Sequence, residues 1–123
     1  MNELQTPGED SLTKKELEKW ILKYKPYLNP ELKITDLIFE FQTNRTYLSA
    51  FINRKYGINF SRFINYWRLI EYEKMNADPA NTLLTDKERA LITGFSNYRG
   101  YLRANKMIKK VVMVENQKEM IKN

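Results

Sequence analysis

Apolar residues recur along this chain three and four positions apart, in blocks separated by polar turns, and no stretch shows the alternation of a half-buried strand. Leu17, Trp20, Ile21 and Tyr24 form the first block, which Pro26 closes. Thr13-x-x-Glu16 ahead of it is a capping box, and Leu12 and Leu17 are placed for a hydrophobic staple. After the turn-like Asn29-Pro30, Thr35 is expected to cap a short helix from Asp36 to about Phe41, with Leu37, Ile38 and Phe41 on its apolar face. Gln42 and Thr43 leave room only for a tight turn. Asn44 then caps a helix running to Tyr56, with Tyr47, Leu48, Phe51 and Ile52 as core positions and Gly57 as its left-handed terminator.

The next block is longer. From Phe60 to Asn76 the pattern predicts one amphipathic helix, with Phe60, Phe63, Ile64, Trp67 and Ile70 on one side, Arg62 and Arg68 available to solvent, and Asp78-Pro79 as its end. A fainter copy of the first plan follows. Thr85-x-x-Glu88 is a second capping box, Gly94 ends the helix it opens, and Asn97 caps a further helix from Tyr98 to about Lys110 that buries Tyr101, Ala104 and Ile108. Val111 to Val114 is β-branched and can be extended, and the polar residues 115–123 are expected to fray. The expected fold is therefore all-α, with about seven helices in two helix-turn-helix subdomains joined by a long linker helix. In residue terms these are an N-terminus over 1–11, a first subdomain over 12–58, a linker over 59–78, a second subdomain over 79–110 and a tail over 111–123.

Composition narrows the chemistry. The chain has no cysteine and no histidine, which removes thiol nucleophiles, disulfides, thiolate metal sites and the commonest general base. Asp36, Glu40, Glu71 and Glu73 are scattered helical carboxylates rather than a catalytic pair, so no enzyme, metal or cofactor is expected. No apolar run approaches the roughly 20 residues of a membrane span, residues 1–10 are polar and acidic, and a cytoplasmic location is the expectation.

The formal net charge of +6 is unevenly distributed. Residues 44–75 hold six basic and two acidic side chains, and residues 97–123 hold seven and two, whereas residues 1–43 and 76–96 are slightly acidic. Two separate basic blocks suit two contacts with a polyanion. The first block coincides with the helix after the tight turn, and a short helix, a turn and a polar-faced helix have helix-turn-helix proportions. An α-helix fits the major groove, and its early, outward side chains point at base edges. Arg45, Thr46, Ser49 and Asn53 lie on that side: an arginine able to grip guanine, two hydroxyls and an amide, with the small Ala50 beside them for a thymine methyl. The plainer reading of the same residues is a solvated helix face, and the Trp, Tyr and Phe residues at helical spacing read as core rather than as base-stacking platforms.

Leu37-Ile38, the run from Asn44 to Ile52, Tyr56-Gly57-Ile58-Asn59-Phe60 and the long helix carrying Arg68 resemble the DNA-binding domain of the AraC/XylS family of bacterial transcription activators, in the versions found in Bacteroides-type bacteria. Ala90-Leu91-Ile92-Thr93-Gly94-Phe95, then Ser96-Asn97 and a helix with Arg103 and Lys106, match the family's second signature. The resemblance covers about Leu12 to Lys110. It implies two helix-turn-helix units on one face of double-stranded DNA, with Arg45, Thr46, Ser49 and Ala50 facing bases, Asn53 near backbone, and Tyr98, Arg99, Leu102 and Arg103 in the corresponding places of the second unit. A linker of 17 residues, about 25 Å long, plus a helix diameter of about 10 Å approaches the roughly 34 Å between successive major grooves.

Asp86, Arg89 and Asn105 stand where the family has apolar residues, and Gly100 interrupts the second reader, so a weakened second core is expected. The resemblance also implies RNA polymerase as a candidate partner and a sensor domain elsewhere in a longer regulator. The alternative from a different class is a helical protein-interaction module descended from a DNA binder.

Overall fold

The computed structural model describes residues 12–108, and within them the protein is all-helical: six α-helices, two short 3-10 turns and no strand. The segment Val111 to Val114, residues 109–110 of the second reader and the terminal stretches lie outside the described residues. The chain divides into two compact units between Ile64 and Asn65.

In the first unit, α1 (Lys14–Tyr24) starts as its capping residues require, with Thr13 Oγ1 accepting from the Glu16 amide at 3.1 Å. Leu12, Leu17 and Ile21 are buried, whereas Tyr24, at the end of the expected apolar stripe, is 61% exposed. The helix ends on Lys25 in the left-handed region at φ 45°, and Pro26 opens a 3-10 turn over Pro26–Leu28 that buries Tyr27.

α2 (Ile34–Phe41) begins earlier than its threonine suggests. The cap is Lys33 rather than Thr35, because the Asp36 carboxylate reaches back to accept from the Lys33 amide at 2.9 Å. The earlier start places Ile34 beside Leu37 on the buried face and leaves Thr35 exposed. Gln42 turns the chain at φ 52°, and the Thr43 amide donates to the Ile38 carbonyl at 3.1 Å, the bond that closes a Schellman-type helix end.

α3 (Arg45–Tyr56) follows at once, with Asn44 Oδ1 accepting from the Tyr47 amide at 2.8 Å and Gly57 ending it at φ 72°. Leu48, Phe51 and Ile52 are each no more than 1% exposed. Burying side chains of this size stabilises by about 1.5–3 kcal/mol each, so this face fixes the helix firmly to its unit.

α4 (Phe60–Ala77) opens on Asn59, whose Oδ1 accepts from the Arg62 amide at 2.9 Å. Phe63, Ile64 and Trp67 are buried as their spacing predicts, but Phe60 and Ile70 are only partly covered, and Leu69 and Tyr72 are buried instead. Beyond Ile64 the covered side is set by the second unit's own cluster of Leu69, Tyr72, Ala90, Phe95, Tyr101 and Ala104. Arg68, expected in solvent, is half-buried for the same reason. Its Nη1 donates to Asn65 Oδ1 at 3.2 Å, its guanidinium lies 6.0 Å from the Phe95 ring centre, and burial pulls its pKa below the ordinary arginine value.

The second unit continues through a 3-10 turn (Pro79–Asn81) capped by Asp78 to α5 (Asp86–Ile92), where both bonds of the capping box form. The Thr85 amide donates to Glu88 Oε1 at 2.8 Å and the Glu88 amide to Thr85 Oγ1 at 3.1 Å. Bonding to the Thr85 amide, and then to its hydroxyl, lowers the Glu88 carboxyl pKa from its ordinary value. Gly94 at φ 105° then allows the sharp turn into α6, which is helical over 98–108 and is capped by Asn97 Oδ1 accepting from the Gly100 amide at 2.8 Å.

Asp86 and Arg89 do not open this core to water. Arg89 is only 6% exposed; its two terminal nitrogens donate to the Leu84 carbonyl at 3.2 and 3.3 Å, and its guanidinium lies 5.5 Å from the Tyr72 ring centre. Asp86 sits at 3.5 Å from Arg89 Nη2 and is itself largely solvated, so the long side chain fills an aliphatic position while its charge rests on a carbonyl and a ring face.

Candidate nucleic-acid interface

The outward face of α3 follows from what it buries. At 3.6 residues per turn, Leu48, Phe51 and Ile52 occupy one side, and Arg45, Thr46, Ser49, Ala50 and Asn53 fall within about 140° on the other. All five are exposed. Their backbone is held at both ends, by the Asn44 cap and by the Gly57 amide donating to the Asn53 carbonyl at 2.8 Å. The face offers a cation, two hydroxyls, an amide and a methyl, a donor and acceptor set that suits base edges in a major groove.

Tyr56 anchors the far end. Its hydroxyl donates to Glu18 Oε2 at 2.8 Å, its ring packs 4.6 Å from Phe63, and Lys14 Nζ lies 5.2 Å from the ring centre. Burial, reinforced by the neighbouring Glu18 carboxylate, pushes the phenol pKa up. Next to this face lie further exposed cations: Arg54 and Lys55 in the last turn of α3, to which the sequence pattern gave no role, and Arg62 in the first turn of α4, which is in solvent as its spacing predicts. The charge block over residues 44–75 counted all three, and in solvent their long side chains can reach phosphates.

In the second unit α6 repeats the geometry with different residues. Tyr101 and Ala104 are buried and Ile108 packs against their cluster, while Arg99, Leu102, Arg103 and Lys106 are exposed. Tyr98, expected at a base-facing place, is only partly exposed. It packs against the cluster with its ring stacked on Tyr101 at 5.7 Å, and Tyr101 in turn stacks on Tyr72 at 4.2 Å. Burial raises the phenol pKa values of both Tyr72 and Tyr101.

Among the described residues no group of three or more acidic side chains could hold a metal ion, and no helix is long and apolar enough to cross a membrane. Comparisons of this chain with protein-family models, with curated proteins and with solved structures find no match.

Proposed function

We propose that this chain binds double-stranded DNA sequence-specifically as part of a transcription regulator, laying α3 in the major groove, in the manner that its resemblance to the AraC/XylS family implies. The observation that carries this reading is the division of α3 into an anchored side and an exposed side bearing Arg45, Thr46, Ser49, Ala50 and Asn53, directly after a short helix and a tight left-handed turn. The exposed cations Arg54, Lys55 and Arg62 of the same unit supply the sequence-independent attraction such a reader needs. α6 brings Arg99, Arg103 and Lys106 to the second unit. No catalytic role and no cofactor are assigned, and RNA polymerase is a candidate further partner.

Selection of bound duplexes from a random pool at several salt concentrations tests the proposal. The expected result is an enriched sequence, bound with log affinity falling against log salt at a slope of about −0.9 per phosphate neutralised. A second reading, a protein-interaction module with weak or no DNA binding, draws on Leu91, Ile92, Leu102 and Met107, which are 43–49% exposed in the second unit. It predicts no enriched sequence and nearly salt-independent association with a protein.

A further inference from the structure

α3 and α6 can be compared position by position, because each starts from an asparagine cap whose Oδ1 accepts at 2.8 Å from the amide three residues on. Counted from Asn44 and Asn97, Leu48 corresponds to Tyr101 and Phe51 to Ala104, and all four are buried. The outward positions correspond as well, but their chemistry does not. Thr46, Ser49, Ala50 and Asn53 of α3 are matched in α6 by Arg99, Leu102, Arg103 and Lys106. Arg45 is matched by Tyr98, which is drawn against the buried cluster.

Short side chains reach only what lies close to the helix, which for a helix in the major groove is the base edges that carry sequence. Long cations work differently. They find phosphate oxygens at many angles, and their attraction is the same for every sequence. An arginine reads guanine through two parallel bonds, which demands that its plane be oriented. Among the described residues Arg99 and Arg103, like Arg45, are held by no side-chain hydrogen bond or ion pair, but Arg45 stands beside the short polar Thr46, Ser49 and Asn53 that fix a register on base edges, and the outward positions of α6 carry no such residue. Leu102, between Arg99 and Arg103, has no polar atom to offer.

We infer that the two helices divide the work: α3 reads bases, and α6 is a phosphate clamp in which Arg99, Arg103 and Lys106 hold the backbone of duplex DNA without reading its sequence. The inference rests on the DNA-binding reading above and says what the second unit contributes to it.

The test uses the full chain and three forms of it: the parent, a triple variant Arg99→Ala, Arg103→Ala, Lys106→Ala, and a double variant Arg99→Lys, Arg103→Lys. All the altered side chains are exposed, and helix content by circular dichroism checks that each form folds. Each form is put through selection from a random duplex pool and then through a salt titration on the parent's selected duplex. The triple variant is expected to select the same sequence as the parent, with a salt slope shallower by about 0.9 per cation removed, or roughly 2.7 in all. The lysine variant is expected to keep both the slope and the selected sequence, which also covers the case in which the triple variant fails to fold. A selected position lost in the lysine variant shows that a guanidinium reads a base, and overturns the inference alone. An unchanged slope in the triple variant does the same. If the parent binds no duplex at all, both this inference and the DNA-binding reading fall.

Discussion

The Tyr56 hydroxyl donates to Glu18 Oε2 at 2.8 Å across 38 residues of sequence, tying the last turn of α3 to the middle of α1. Glu18 sits one position after the buried Leu17, and Tyr56 sits one position before the glycine that ends α3. The bond therefore orients the outward face of α3 from its far end, while Asn44 holds the near end.

Tyr56→Phe removes the donor and leaves a partly buried carboxylate with one partner fewer. The expected loss is about 1 kcal/mol, below the roughly 1.5–3 kcal/mol typical of a hydrogen bond to a charged group because the site is half open to solvent. Urea unfolding measures it, and an unchanged midpoint would show that water replaces the bond at no cost.

Alkaline pH acts on the same residue. The Tyr56 phenol is raised above its ordinary value of 10.0 by burial and by Glu18, and Tyr72 and Tyr101 are raised in the same direction. A group held protonated by folding contributes its stability in full below its unfolded pKa and loses it as pH climbs above that value. Thermal stability should therefore fall as pH rises beyond 10, and Tyr56→Phe should shrink that fall. Melting curves across this range, read beside tyrosinate absorbance, check both.

Arg89 separates side-chain volume from charge in the second unit. Arg89→Ala removes the packing on Tyr72 and strips the Leu84 carbonyl of its donors, so a loss of about 2–3 kcal/mol is expected. Arg89→Met keeps most of the volume and removes a buried charge whose Nε has no hydrogen-bond partner. It should unfold within about 1 kcal/mol of the parent, or later. Equal losses in the two variants would mean that the guanidinium bonds matter more than the volume.

Two glycines should respond in opposite ways. A methyl group at Gly100 would meet Asn97 Oδ1 at 3.4 Å, within ordinary contact, in a helical backbone, so Gly100→Ala should stabilise by about 0.5–1 kcal/mol. Gly57 stands at φ 72° with open space around it, so Gly57→Ala should cost about 1 kcal/mol through backbone strain alone. Thermal melts of the two variants decide, and a shift of the same sign in both would contradict the account of these helix ends.

Arg45 bears most directly on the proposed reader. Arg45→Ala should weaken the selected duplex by about 1–3 kcal/mol and relax preference at one base pair. Competition binding against single-base variants of the selected site measures it. Uniform weakening on every duplex would make Arg45 a phosphate contact.

Much of the helical plan was legible in the residues because it is local. Asn44 and Gly57 bracket α3, Thr85 and Glu88 cap α5, and Asn97 opens α6, since each bond joins groups only a few residues apart. Thr35 misled because a local competitor was stronger: the Asp36 carboxylate satisfies the Lys33 amide and the earlier start buries Ile34. The candidate face of α3 was legible too, because the same periodicity that selects Leu48, Phe51 and Ile52 for the core leaves Arg45, Thr46, Ser49, Ala50 and Asn53 outside.

What the sequence determined by itself, then, is an all-helical chain, the caps that start and stop its helices, and the side of α3 that meets solvent. Only tertiary structure decided that Arg68 and Tyr98 are drawn towards buried rings, that Leu69 and Tyr72 replace Ile70 in the covered face of α4, and that Arg89 fills an aliphatic position. Spacing says which residues share a helix face. Which part of that face is covered depends on partners brought from elsewhere in the chain, and a long side chain with a cationic end can pack its stem and a ring face while its charge finds a carbonyl.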